Sequence, residues 1–329
     1  MRFHARMLAH FRTVSDWVTR HGGKATLGLP DFQLEMSVRN RIHRFFPRFV
    51  GEYEGRLLHT SDLKPYAVGF IGWLPYEQKV WREAQEKLEF KRALLRHGER
   101  TPPSWLDAEA PPHDVLIKPT RGSFGLGQRG PFRRLDTNNE SHRLRPGEFY
   151  EQFIHGEVLK VWYWNGELIC VDLRRPLIVV GDGHRSVETL VRDTFRVYED
   201  ARLRRFHAGQ SQLAALLAYQ DANWDTVLAS GKALQVDYLY GSPLYAENYS
   251  ERKNHNRIEE VRETSLGRKM KSCGPIFQSM IPAETRDNTL FAVDAVVDAA
   301  GDVWWLEMNC APTVPPDAYP SILNSLFNV

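Results

Sequence analysis

The sequence predicts a mixed α/β (α+β) fold, and three observations carry that prediction. Strand-like and helix-like runs are interleaved along the chain. Glycine- and proline-bearing turns separate several of them. The composition, with 42% apolar and 26% charged residues among 329, is that of an ordinary globular protein large enough for one large or two modest cores.

The first fifty residues are basic, nine Lys and Arg against three acids. The simplest reading is a solvated helix face; the functional ones are a subunit contact, as in a homodimer, or a collar for an acidic substrate. Residues 55–75 read as short strands with turns. A charged helix is expected from about Tyr76 to His97, ending at Gly98 with Pro102-Pro103 beyond it. Asp114–Lys118 reads as a strand, followed by a glycine-rich loop from Gly122 to Gly130. Phe149–Leu173 is strand-rich, with Asn165-Gly166 as a hairpin turn. A mostly helical stretch runs from Gly183 to about Ala229, and two strands fall around Leu234–Tyr245. A hairpin at 291–309 and a short tail end the chain.

Several function classes find no support. The net charge of +2 points to neither nucleic acid nor an anionic membrane as partner. Cys170, Cys273 and Cys310 lack metal or redox spacing and fit a reducing compartment. No apolar run reaches the roughly 20 residues of a membrane span, and the basic N-terminus does not read as a signal peptide. A cytoplasmic protein is expected. The twelve histidines form no HExxH-like pair, and no Gly-x-Ser-x-Gly elbow is present. Trp304 and Trp305 alternate on a strand, so one faces each side, with core packing the preferred role.

The hairpin at 291–309 carries the most chemistry. A turn centred on Ala300-Gly301 pairs residues whose numbers sum to 601, which sets Asp294 opposite Glu307. Directly opposed side chains have Cβ atoms roughly 4.5–5.5 Å apart, and Asn309, two residues on, points to the same face. Two carboxylates and an amide on one patch suit Mg²⁺, which takes oxygen ligands and is commonly shared with nucleotide phosphates. A loop of three or five residues shifts this register and turns one acid to solvent. The second candidate is Lys118-Pro-Thr-Arg-Gly-Ser-Phe-Gly-Leu-Gly127. Its glycines, Gly122, Gly125 and Gly127, let backbone N–H groups approach phosphate oxygens, with Lys118 as a point charge. It matches neither the Walker A nor the dinucleotide-binding pattern, and an ordinary surface turn is the competing reading.

Taken in order, these segments resemble the ATP-grasp superfamily over about residues 85–329, most of all the ligase region of cyanophycin synthetase and D-alanine–D-alanine ligase. The resemblance implies two α/β subdomains clasping ATP between antiparallel sheets, preceded by a basic region at 1–84 for substrate or subunit contact. It implies that Lys87, in Lys87-Leu-Glu-Phe-Lys91, and Lys118 bind phosphates, and that Gly122, Ser123, Gly125 and Gly127 close over ATP. In Glu151-Gln-Phe-Ile-His-Gly156, Glu151 would accept from the adenine amino group and the backbone of Gln152, Phe153 and Ile154 would bind the ring edge. Asp294, Glu307 and Asn309 would hold one or two Mg²⁺, with Mn²⁺ also admitted. Lys160 stands where relatives usually have arginine, and Arg175-Pro176 with Val179-Val180-Gly181-Asp182-Gly183 matches a stretch of the subgroup.

The sequence departs from the pattern in three places. The ribose-binding acid is displaced by one residue, to Glu157, with Val158 in its place; on a strand that reverses the face. The arginine expected two residues before the first metal acid is Ala292, leaving Arg175 and Arg174 as replacement cations. After the Asn248-Tyr249-Ser250 segment, the usual glycines are Glu251-Arg252-Lys253-Asn254. The activity implied is ATP-dependent carboxylate–amine ligation of amino acids or peptides through an acyl phosphate, releasing ADP and phosphate. A small-molecule kinase or a non-catalytic nucleotide-binding protein is the alternative.

Overall fold

The computed structural model describes residues 2–53, 56–106, 113–122, 125, 127–136, 138–195, 213–239, 244 and 256–329. Three antiparallel sheets and a two-stranded ribbon, with helices between them, give the mixed α/β class.

A helix, α1 (Arg2–Arg20), opens the chain. The helical reading of the basic segment ends there. Residues 24–53 are strands: β1 (Lys24–Leu27), β2 (Leu34–Val38) and the long β3 (Arg41–Tyr53). The strict alternation of buried and exposed residues along β2, with Leu34, Met36 and Val38 inward, is what a half-buried strand requires. β4 (Arg56–Thr60) and β5 (Ala67–Leu74) complete a five-stranded sheet.

The charged helix expected over 76–97 is broken. A single turn at Arg82–Gln85 stops at Glu86, which is extended, and α2 (Lys87–Arg96) starts afresh. Tertiary contacts explain the break. The Lys87 N–H donates to the Thr120 carbonyl at 3.0 Å, and Glu86 pairs with Arg121, so the head of α2 is tied to the glycine-rich loop.

A small sheet follows, in the order β6 (Ser104–Trp105), β9 (Glu148–Gln152), β7 (Val115–Pro119), β8 (Arg129–Phe132). The larger central sheet has the order β11-β10-β14-β15, from β10 (Glu157–Trp164), β11 (Glu167–Arg174), β14 (Leu290–Val297) and β15 (Val303–Asn309). β10 and β11 meet through Asn165-Gly166 as expected. Between the halves of this sheet, β12 (Leu177–Val180) and β13 (Ala233–Asp237) form the ribbon, flanked by α3 (Val187–Thr194) and helical residues 213–219. The sequence-based assignment gave no strand at β12. The second strand expected near 240–245 falls almost wholly outside the described residues. Residues 256–289, left unassigned by the sequence, hold α4 (Ser265–Ser279). The tail ends in α5 (Tyr319–Phe327).

The central sheet is covered on both faces. Leu159, Val161, Tyr163, Val293, Ala295 and Trp305 pack on one side with Phe90 of α2 and Phe277 of α4. On the other face, Trp162, Trp164, Leu290 and Ala292 join the core of the N-terminal sheet, α1 and α5. This second cover ends partway along the strands, and beyond it the same face carries Lys160, Asp294 and Glu307. Among the described residues, no helix is long and apolar enough to cross a membrane.

Trp305 is fully buried and meets Phe277 edge-on with centroids 4.9 Å apart. Trp305→Ala is expected to cost about 3–5 kcal/mol in equilibrium urea unfolding. Trp304, half-buried at the sheet's rim, should cost clearly less.

Candidate active site

The register of the β14–β15 hairpin is decided by two irregularities that compensate. The turn is a three-residue loop: Asp298 N–H donates to Asp302 O at 3.0 Å, and Gly301 takes a left-handed φ of 82° that glycine adopts without strain. On that register alone Glu307 would point into the core beside Trp305. A β-bulge between Asp294 and Ala295 absorbs one extra residue on β15. It restores Asp294 opposite Glu307, and Ala292 opposite Asn309. The acids therefore share a face after all, by a route the sequence did not display.

Each acid has a cation. Lys160, directly opposite Asp294 on β10, reaches its Oδ1 at 2.6 Å. Lys87, from the head of α2, reaches Glu307 Oε2 at 3.1 Å and donates to Gly122 O at 2.7 Å. Asn309 Nδ2 donates to Asp294 Oδ2 at 2.8 Å. Asp172, opposite Lys160 on β11, is bound by Arg174 at 2.6 Å, so the row of charges continues across the sheet.

A cleft of about 640 Å³ separates this face from the small sheet. Of the sequence-predicted residues, Lys87, Lys118, Gly122, Gly125, Glu151, Gln152, Phe153, Ile154, Lys160, Asp294, Glu307 and Asn309 line it together. Leu116, Val158, Val296 and Leu306 add apolar wall. The size and mixed lining suit a nucleotide-sized ligand. Gly156 also lines it, and no larger residue fits there: a Cβ would stand 2.1 Å from the Val297 carbonyl.

Other predicted residues lie elsewhere. Ser123 and residues 245–255, including Asn248-Tyr249-Ser250, are outside the described residues. Gly127 is not among the described lining. Glu157 has the strand parity of the core residues Leu159 and Val161, whereas Val158 faces the cleft, so Glu157 points away from a ribose there. It pairs instead with Arg175 at 3.5 Å, whose side chain is 91% exposed. Arg174 is held by Asp172, and neither arginine is among the cleft-lining residues. The replacement cation expected from this pair is not supplied by their placement.

Glu151 differs most from its expected role. It is 1% exposed, and its two oxygens are taken by Lys91, at 2.7 Å, and Lys118. Lys91 spends its remaining donors on Thr101 Oγ1 and Pro102 O. The carboxylate thus fixes Lys118 on the cleft wall rather than waiting for an adenine amino group. Burial disfavours its charge, but Lys118 and Lys91 outweigh that and hold its carboxyl below the ordinary range. The hinge is partly committed too. Gln152 N–H donates to Pro103 O at 2.9 Å and Phe153 N–H to Asp114 O at 2.5 Å. Of the three hinge N–H groups, those of Gln152 and Phe153 are therefore engaged within the fold.

Sequence reasoning passed over Lys91, four residues from Lys87 and so on the neighbouring turn of α2. It also passed over Asp237, 1% exposed at the end of β13 between the cleft residues Gln235 and Tyr238. Burial pushes its carboxyl up to about 7, against the backbone N–H bonds of Leu239 and Tyr238.

For a metal, the described residues hold no cluster of three His, Cys, Asp or Glu. The donor set is two carboxylates and an amide, which fits an ion shared with phosphates and not a site closed by protein alone.

No family profile and no curated protein matches the chain. Solved structures similar to it include several ligases, one of them described as an ATP-grasp ligase. A bifunctional glutathione synthetase from Pasteurella multocida shares 16% identity at a TM-score of 0.43, covering 98% of this chain and 44% of its own. D-alanine–D-alanine ligase from Bacillus anthracis, complexed with ATP, shares 13% at 0.35, covering 72% and 61%. L-amino acid ligase from Bacillus licheniformis shares 12% at 0.33, covering 69% and 40%. The chain thus spans under two thirds of the length of each of these three proteins.

Two tests follow from the buried acids. Glu151→Gln leaves two lysines facing a neutral amide and should destabilise by roughly 3–5 kcal/mol. Because Glu151 is depressed in the fold, its contribution is present above its unfolded pKa of about 4.3 and lost below it. The variant's stability should therefore vary less with acidification in that range. Asp237 has the opposite sign. Its raised pKa means stability falls as pH rises from about 4 to about 7 and then levels. Asp237→Asn should flatten that slope in melting curves taken across the same pH range.

Proposed function

We propose that the protein is an ATP-dependent carboxylate–amine ligase. The observation that carries the reading is the pair Asp294 and Glu307, directly opposed and each offset by a lysine, on one wall of a nucleotide-sized cleft. A fixed lysine, Lys118, stands on the other.

The residues divide the work as follows. Leu116, Phe153, Val158, Val296 and Leu306 would enclose the base, with the Ile154 N–H on its edge. Lys87 and Lys118 would bind phosphate oxygens. Asp294, Glu307 and Asn309 would hold Mg²⁺, which when bound neutralises the β- and γ-phosphates. Phosphate binding competes for Lys87 and Lys160, releasing Glu307 and Asp294 from their ion pairs as ligands. Lys160 would then supply the cation for the transferred group, the role first looked for in Arg174 and Arg175.

The chemistry balances in two steps. A substrate carboxylate oxygen attacks the γ-phosphorus; the bond to the β-phosphate oxygen breaks, and ADP leaves. An amine nitrogen then attacks the acyl carbon; phosphate departs, and the amine gives up a proton. The loop bearing Gly122 and Gly125 would keep water from the acyl phosphate. The substrate class is an amino acid or short peptide, and a cytoplasmic setting with Mg²⁺ and ATP is consistent with that chemistry.

Incubation with Mg-ATP and pooled amino acids and peptides should yield ADP and free phosphate in equal amounts, with a product lighter by one water than its two parents by mass spectrometry. Asp294→Asn with Glu307→Gln should lower turnover by at least roughly 100-fold. ADP without free phosphate, beside a phosphorylated product, would establish a kinase instead. Failure to bind Mg-ATP at all would overturn the nucleotide reading.

A further inference from the structure

The three residues that would hold a divalent ion are not engaged alike. Both oxygens of Asp294 are taken: Oδ1 accepts from Lys160 Nζ at 2.6 Å, and Oδ2 accepts from Asn309 Nδ2 at 2.8 Å. The second bond also turns the amide nitrogen of Asn309, not its oxygen, towards Asp294. Glu307 is held through Oε2 by Lys87 at the longer distance of 3.1 Å, and Lys87 shares its ammonium with the Gly122 carbonyl. The Asp294 end is therefore the closed end of the set, and Lys160 is the charge that closes it.

Three features set this contact apart from an ordinary surface ion pair. Its side chains are 11% and 16% exposed, so water and salt screen it little. β10 is paired on both edges, with β11 and with β14, so the Lys160 backbone is fixed and any release must come from the side chain. A carboxylate lies directly opposite Lys160 on each of these neighbours, Asp172 and Asp294. Asp172 is matched by Arg174, whose Nε and Nη2 both donate to its Oδ2, so the Lys160 charge serves Asp294. A divalent cation seeks the same oxygen. At contact distance from one carboxylate, the ammonium and the ion would repel each other strongly in so sheltered a place. A triphosphate changes the balance, because its oxygens offer the ammonium another anionic partner and share the charge of the metal.

Resting on the ligase reading of the cleft, we propose that Lys160 gates the metal site. It keeps a divalent cation off Asp294 in the empty protein and yields to a triphosphate, so metal enters with the nucleotide and not ahead of it. The gate is a charge, not a shape. Lysine suits it, since a compact ammonium on a flexible stem can change partners.

The test uses the full chain without nucleotide and Mn²⁺ as the probe, its binding read from loss of the free-ion electron paramagnetic resonance signal. Lys160→Met should bind one equivalent of Mn²⁺ at least ~10-fold more tightly than wild type, because one like charge is gone from the site. Lys160→Gln should behave as Lys160→Met does, and Lys160→Arg as the wild type. Adding Asp294→Asn to Lys160→Met should abolish the gain, which locates the ion. Wild type binding Mn²⁺ as tightly as Lys160→Met overturns the gate. So does a gain shared by Lys160→Arg, or one that survives Asp294→Asn. Neutral variants that fold only with Mn²⁺ present would support the gate, and variants that fold neither with it nor without it overturn it, since Lys160 would then be structural. Mn-AMPPNP binding to the wild type, followed by calorimetry, separates the two readings. Its failure would overturn the ligase reading, whereas intact Mn-AMPPNP binding beside an ungated Mn²⁺ site overturns the gate alone.

Discussion

Asp294 and Glu307 face one another across β14 and β15, and much of the molecule around them serves to make that tolerable. Like charges at strand spacing repel. The fold answers by bringing a lysine to each from a different element: Lys160 from the adjacent strand, Lys87 from the head of α2. The break at Glu86 belongs to the same solution. A helix running unbroken from residue 82 would leave Lys87 in its second turn; restarting at Lys87 anchors its N–H on Thr120 and lets its side chain lie between Glu307 and Gly122. Each of the two acids is matched by a lysine without ligand, and under the proposed function nucleotide binding would be an exchange of partners, phosphate for carboxylate on the lysines.

What could be read from the sequence follows from how local the cause is. The Asn165-Gly166 hairpin, β7 before the glycine loop, and the acids on the last hairpin depend on turn chemistry and alternation within a few residues. So does the face of Glu157, which parity alone turned away from the cleft. The helix break, the two-lysine hold on Glu151 and the bulge in β15 depend on contacts between distant segments, and no local pattern announces them. The bulge is instructive. The loop is the three-residue kind that shifts the register by one, and a second irregularity five residues later shifts it back. The expected pairing and the observed one agree at Asp294 while disagreeing at Trp305.

The basic N-terminal region was the least legible part for the same reason. Its strands are amphipathic, but the core they build is not their own. Trp162, Trp164, Leu290 and Ala292 of the central sheet and Tyr319, Ile322 and Phe327 of α5 complete it. Tyr319 illustrates the union: its hydroxyl accepts from Trp73 N–H at 2.9 Å and meets His10 Nδ1 at 3.0 Å. A boundary after residue 84 marks a change of role in the sequence, yet one apolar core runs across it.

That shared core bears on what the N-terminal region can do. A loosely attached module could contact substrate, but it could not hold a side chain in fixed register with Asn309. Here the segment after Asn309 is bonded to Ile71, and Ile71 neighbours Gly72, the strand partner of Arg48. The segment that follows the acid-bearing strand is thereby tied directly to the N-terminal sheet. Rigidity of this kind is what the proposed reaction would require, since attack of a carboxylate on a phosphorus depends on approach within a narrow range of position and angle. The basic residues first seen as a surplus of charge thus separate by placement. Arg44 lies on the surface, paired with Glu35, while Arg48, four residues on along the same strand, is buried.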